Sequence, residues 1–148
     1  MKQLTPQEQQ TIEEEKKEMR KIGMPEKDIE IFLSHPYHVK LVVRGFPEMK
    51  KYKLVAEVVK SVNCRAEVGQ KFIFTSRGKL LPDESDCPLC IRALAPMGQI
   101  LFGFWDRFME EGIELNEGMW DHFQCLDPGI ERGGRGNVLF KVYAKKIE

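Results

Sequence analysis

The sequence predicts an α+β fold: a small antiparallel sheet with one long central helix in residues 52–148, preceded by a helical arm over residues 1–51. Three observations predict it. The first fifty residues carry helix start and stop signals around thin apolar stripes. At Tyr52 the apolar period changes from helical to alternating. Beyond that point the segments run strand, strand, helix, strand, strand, an order that suits an antiparallel sheet with its helix on one face.

Thr5-Pro6-Gln7-Glu8 is a capping box with proline at the first helical position. The helix it opens has a stripe of only Ile12, Met19 and Ile22, and Gly23 is placed to end it in a left-handed conformation. Pro25 starts a second helix with Ile29, Phe32 and Leu33 on one face, stopped before His35-Pro36. Val39, Leu41, Val42 and Val43 form a third short apolar piece before Gly45 and Pro47. None of the three buries enough surface alone, so the arm must pack on the rest of the chain or on a second subunit.

"YKLVAEVVKSV" places Tyr52, Leu54, Ala56 and Val58 on one face of a strand. Lys71 to Thr75 offers a short second strand, followed by a turn at Arg77-Gly78. Asp86 is placed to cap a helix from Cys87 to about Glu111, kinked near Pro96-Met97-Gly98. "MWDHFQC" and "NVLFKVYAKKI" read as two more strands, joined through the glycine-rich "DPGIERGGRG".

Composition narrows the function classes. Lys+Arg and Asp+Glu both number 23, so no basic face for sequence-independent nucleic-acid binding is expected. The polar start "MKQLTPQEQQTIEEEKKE" has no signal-peptide pattern, and Pro96, Gln99 and Asp106 interrupt the best apolar run. A cytoplasmic, non-membrane protein is expected. Its four cysteines are then thiols, metal ligands or redox centres rather than structural disulfides.

Cys64 follows the first strand, Cys87 and Cys90 open the central helix as C-P-L-C, and Cys125 closes the third strand. The intervals of 22 and 34 residues mean that the four converge only through the fold. One C-x-x-C knuckle with two single cysteines is half of a zinc pattern. A thiol at a helix N-terminus has its thiolate stabilised by the helix dipole, which suits Cys87 as a nucleophile or acid, although Glu84 and Asp86 oppose that. Against both stands simple packing, for which Cys90, one turn from Leu94, is the best case.

The core from Tyr52 to Ile147 resembles a family of small, cysteine-containing microbial proteins, frequent in anaerobes and without an assigned reaction. The resemblance rests on "YKLVAEVVKSVNC", "EVGQKFIF", "CPLCIRALAP" and "QCLDPG…GGRGNVLFKV". It implies the α+β core and a recurring cysteine set falling on Cys64, Cys87 and Cys125, with Cys90 shared by a subset. Two positions depart from the pattern: Arg132 stands where some relatives carry a further cysteine, and Ala66-Glu67 where many carry Gly-His.

Three functions follow as expectations. The leading one is a metal-binding module that holds zinc or an iron–sulfur cluster on Cys64, Cys87, Cys90 and Cys125. The second is a small enzyme or binder of an anionic or apolar molecule. Cys87 would act in the chemistry, Arg132 and Arg135 would hold the anion on a backbone nest of "GIERGGRGN", and Phe104 and Trp105 would line the pocket. The third is a homo-oligomer assembled through residues 1–51, with its cysteines packed. His122 beside Asp121 reads as a surface pair rather than a catalytic base, and strand alternation sets it on the face opposite Cys125. The apolar groups crowded from Ile100 to Trp105 exceed what one helix face buries, so they require cover.

Overall fold

A computed structural model describes residues 4–117 and 120–147. The chain divides into two units, Met1–Glu48 and Met49–Glu148.

In the first unit the capping box forms as expected. Thr5 accepts the Glu8 N–H on its hydroxyl, and Glu8 accepts the Thr5 N–H at 2.7 Å. Helix α1 (Pro6–Lys21) ends at Gly23, whose φ of 85° lets the Met24 N–H turn back to the Met19 carbonyl. Helix α2 (Glu26–Ser34) follows, then α3 (Pro36–Lys40), a π-helical turn over Leu41–Gly45, and α4 (Phe46–Met49). Met19, Ile29 and Val42 are buried against one another, with Ile12, Met24, Phe32, Leu33 and Phe46 packed around them. A thin stripe on each helix is therefore enough to build a small shared core.

The second unit is a four-stranded antiparallel sheet in the order β2-β1-β4-β3. Its strands are β1 (Tyr52–Val62), β2 (Lys71–Thr75), β3 (His122–Gln124) and β4 (Asn137–Lys146). The α+β class is as the sequence predicts. Alternation puts Leu54, Ala56 and Val58 on the same face as Phe72, Phe74, Val138, Phe140 and Val142, all buried. Phe123 stacks on Phe140 at 5.0 Å between ring centroids, and Phe72 lies on the other side of that ring at 5.8 Å. Phe104 and Phe108 are buried from the helical side.

The central helix differs from expectation. It begins at Ile91 rather than Cys87 and falls into two pieces, α5 (Ile91–Leu94) and α6 (Met97–Phe108). Pro96, with no N–H to donate, breaks it at the expected place. The late start has a different cause. The outer edge of β2 needs hydrogen-bond partners, and the segment from Leu80 to Cys87 supplies them. Leu81 donates to the Ile73 carbonyl, Ser85 Oγ accepts the Ile73 N–H, and Asp86 Oδ1 accepts the Lys71 N–H at 2.5 Å. Asp86 is thus an edge cover and not a helix cap.

The third strand is also shorter than "MWDHFQC" suggests, and Met119 lies outside the described residues. Beyond it, the Asn116 side chain takes both backbone groups of Ala144 on β4. On α6, Phe102 stays 63% exposed and meets Trp105 edge-on, so the apolar surplus is covered only in part.

Candidate metal or ligand site

All four cysteines line one cavity of about 340 Å³ in the second unit. Each reaches it from a different local structure.

Cys64 stands just past the end of β1. Asn63 turns the chain there with a φ of 51°, and Gly136 at the start of β4 lies directly against this turn. A Cβ on Gly136 would sit 2.1 Å from the Val62 carbonyl oxygen, so only glycine lets the two backbones approach.

Cys87 ends the edge cover of β2. Its N–H donates to the Lys71 carbonyl at 3.2 Å, and its side chain is buried. Burial pushes the thiol up to about 12, and Asp86, Cys64 and Cys90 add to the shift because each would repel a thiolate. The expectation of a helix-activated Cys87 is therefore corrected. Cys87 lies outside the helix, and its burial and neighbouring charges disfavour the thiolate.

Cys90 is the residue immediately before α5, exposed rather than packed as its spacing from Leu94 suggests. Cys125 continues the β3–β4 ladder by one residue. Its N–H donates to the Val138 carbonyl at 2.9 Å, and the Val138 N–H donates to Cys125 Sγ at 3.3 Å.

The part of the cavity wall between Cys90 and Cys125 is tied together by Asp127. Its Oδ2 accepts Arg92 Nη1 at 2.6 Å, while Oδ1 accepts the N–H groups of Gly129 and Arg135 at 2.9 and 3.1 Å. The Gly129 N–H is the largest influence holding this carboxyl below its ordinary value, with Arg135 N–H and Arg92 adding to it. The Leu126 N–H donates to the Arg92 carbonyl, which fastens α5 to the same loop. Gly134 lies so close that a Cβ there would be 2.1 Å from Asp127 Oδ1. Two N–H groups of the glycine-rich loop thus serve the chain's own carboxylate.

No family model, curated protein or solved structure matches the chain.

Of the residues expected to bind a ligand, only Arg135 lines the cavity. Phe104 is wholly buried in the core, Trp105 Nε1 donates to the Ser76 carbonyl at 2.8 Å, and Arg132 sits in the 3-10 turn Ile130–Arg132, away from the lining. His122 bonds its neighbour Asp121 at 2.7 Å and is no part of the cavity. Sequence reasoning missed Arg65, Arg92 and Asp127. Asp127 had a signal in "DPG", an aspartate placed to accept N–H groups from the turn that follows it; Arg65 and Arg92 had none beyond adjacency to cysteines.

The four thiols share a wall rather than a tight cluster. Among the described residues no three His, Cys, Asp or Glu side chains converge on one metal-ion position. The remaining wall combines apolar residues, including Ala66, Ala93, Val138 and Phe140, with three arginines. Arg92 is held by Asp127, whereas the side chains of Arg65 and Arg135 have no ion pair among the described residues. Chemically, the site offers four soft donors, low polarity and uncommitted positive charge.

Proposed function

We propose that the protein is a metal-binding module whose ligands are the thiolates of Cys64, Cys87, Cys90 and Cys125, acting in a reducing compartment such as the cytoplasm. Membership in the family of small cysteine-containing proteins belongs to the same proposal. One observation carries the reading: every cysteine of the chain, from segments far apart in sequence, lines the same cavity. A bound cation reverses the electrostatics that keep Cys87 protonated, so loading would deprotonate the thiols and release protons. Arg65 and Arg135 would then offset the negative charge of four thiolates.

The test is metal content of the full chain, purified anaerobically without a histidine tag and offered zinc or ferrous iron with sulfide. Stoichiometric retention, lost in Cys87→Ser and Cys125→Ser variants that keep their far-UV circular dichroism, is the expected result. Folded wild-type protein that retains neither would overturn the reading.

A second reading is favoured by Arg65 and Arg135, whose side chains have no ion pair among the described residues. A small organic anion would lie on the apolar residues of the wall with its charge between Arg65 and Arg135, within the size range of ligand cavities. Metal-free protein that binds hexanoate but not hexanol would establish it.

A further inference from the structure

Resting on the anion-binding reading of the cavity, we infer that it is a thiol–disulfide exchange site for small carboxylate-bearing disulfides, with Arg65 and Arg135 holding the carboxylates and Cys64 forming the mixed disulfide. The four cysteines that line the cavity differ in how free they are to react. Cys87 is buried, and Asp86 beside it opposes a thiolate. Cys125 is half-buried, and its sulfur accepts the Val138 N–H at 3.3 Å. Cys64 and Cys90 are exposed, so an incoming disulfide meets these two.

Charge separates the two. Near Cys90, Arg92 is bound to Asp127 at 2.6 Å, so its charge is already matched, and a carboxylate arriving there meets another carboxylate. Near Cys64, Arg65 and Arg135 line the cavity without an ion pair among the described residues. The fold sets these three together. A Cβ on Gly136 would lie 2.1 Å from the Val62 carbonyl oxygen and 2.8 Å from that of Asn63, so Arg135-Gly136 runs against the turn that leads into Cys64 and Arg65. Arginine suits carboxylates because its N–H donors pair with both oxygens. The apolar lining, Ala66 and Val138 among it, suits the methylene groups of such a molecule.

In the exchange the Cys64 thiol gives its proton to solvent, and its sulfur attacks one sulfur of the bound disulfide. The new S–S bond to the protein forms as the ligand's own S–S bond breaks, and the departing half leaves as a thiolate that takes a proton from water. The disulfide is the oxidant. Each event yields one mixed disulfide and one free thiol, and excess thiol reverses it.

The experiment uses the full chain, reduced and treated with a chelator, and three small disulfides: anionic dithiodipropionate, neutral hydroxyethyl disulfide and cationic cystamine. Adducts are timed by intact and peptide mass spectrometry, and each rate is divided by that of the same reagent with a free small thiol. Dithiodipropionate should modify Cys64 first and several-fold faster than the neutral reagent, with cystamine slowest, and added salt should narrow the order. Arg65→Ala/Arg135→Ala protein should slow with dithiodipropionate several-fold more than with the neutral reagent, and Cys64→Ser should lose the fast adduct. Rates independent of reagent charge, or modification of Cys90 ahead of Cys64, would overturn the exchange site. Hexanoate binding by the same sample then shows which reading has failed. Hexanoate bound without a charge order leaves the anion pocket standing, whereas neither result overturns both. Circular dichroism of every variant separates lost exchange from lost fold.

Discussion

Arg92 and Asp127, 35 positions apart in sequence, meet at 2.6 Å, and their ion pair fastens the helix that follows Cys90 to the loop that follows Cys125. The other carboxylate oxygen holds two loop N–H groups. Asp127 thereby ties together the segments that carry two of the four cysteines.

Asp127→Asn should loosen this wall. The amide keeps an acceptor for the loop N–H groups but turns its own donors toward Arg92, so retention of metal should fall several-fold while the sheet persists. The pH dependence has a defined sign. The Gly129 and Arg135 N–H groups and Arg92 hold the folded carboxyl below its ordinary value, so its contribution to stability is complete above that ordinary value. It fades as pH falls through the lowered folded value. Acid unfolding followed by circular dichroism should accordingly be less steep at the acid end in Asp127→Asn than in wild type.

Thiol reactivity should rank by burial and charge. Cys64 and Cys90 are exposed, whereas the Cys87 thiol is buried and pushed up to about 12 from 9.0. Its thiolate fraction at neutral pH is then well below that of an unperturbed thiol, and the thiolate is the reacting species. Timed iodoacetamide labelling with peptide mass spectrometry should show Cys64 and Cys90 modified well before Cys87. Early labelling of Cys87 would contradict the placement described.

Gly136 and Gly98 should respond oppositely to alanine. A Cβ at Gly136 meets the Val62 carbonyl at 2.1 Å and the Asn63 carbonyl at 2.8 Å, both backbone atoms that cannot swing aside. Gly136→Ala should cost about 1–3 kcal/mol and disturb the turn carrying Cys64. Gly98, in α6, has nothing within 4 Å of such a Cβ, so Gly98→Ala should be neutral or stabilising by up to about 1 kcal/mol. Urea unfolding of both variants measures the contrast.

Trp105→Phe should lower stability by about 1–2 kcal/mol, because the Ser76 carbonyl loses the indole N–H it accepts at 2.8 Å. Metal retention should be unchanged, since Trp105 lies outside the cavity lining. A loss of retention in folded Trp105→Phe would return this residue to the site.

Local features were legible in the sequence wherever short-range physics fixes them. The capping box at Thr5, the glycine stop at Gly23, the strand from Tyr52 and the break at Pro96 each depend on neighbours within a few residues. Cys87 shows where that reasoning ends. Asp86-Cys87-Pro88 has the local chemistry of a helix start, yet the Lys71 N–H at a distant strand edge claimed Asp86 first, and the helix began four residues later. An unpaired edge outweighs one cap, because several backbone groups are satisfied instead of one.

The sequence by itself determined the α+β class, the alternation that buries one sheet face, and the presence of four thiols in segments that only folding joins. The tertiary structure decided that those thiols share a wall, that Arg65, Arg92 and Asp127 share it with them, and that Phe104 and Trp105 do not. The reason is that convergence across 22 and 34 residues is set by strand order and by which backbone groups need partners, and neither is written in the residues adjacent to a cysteine.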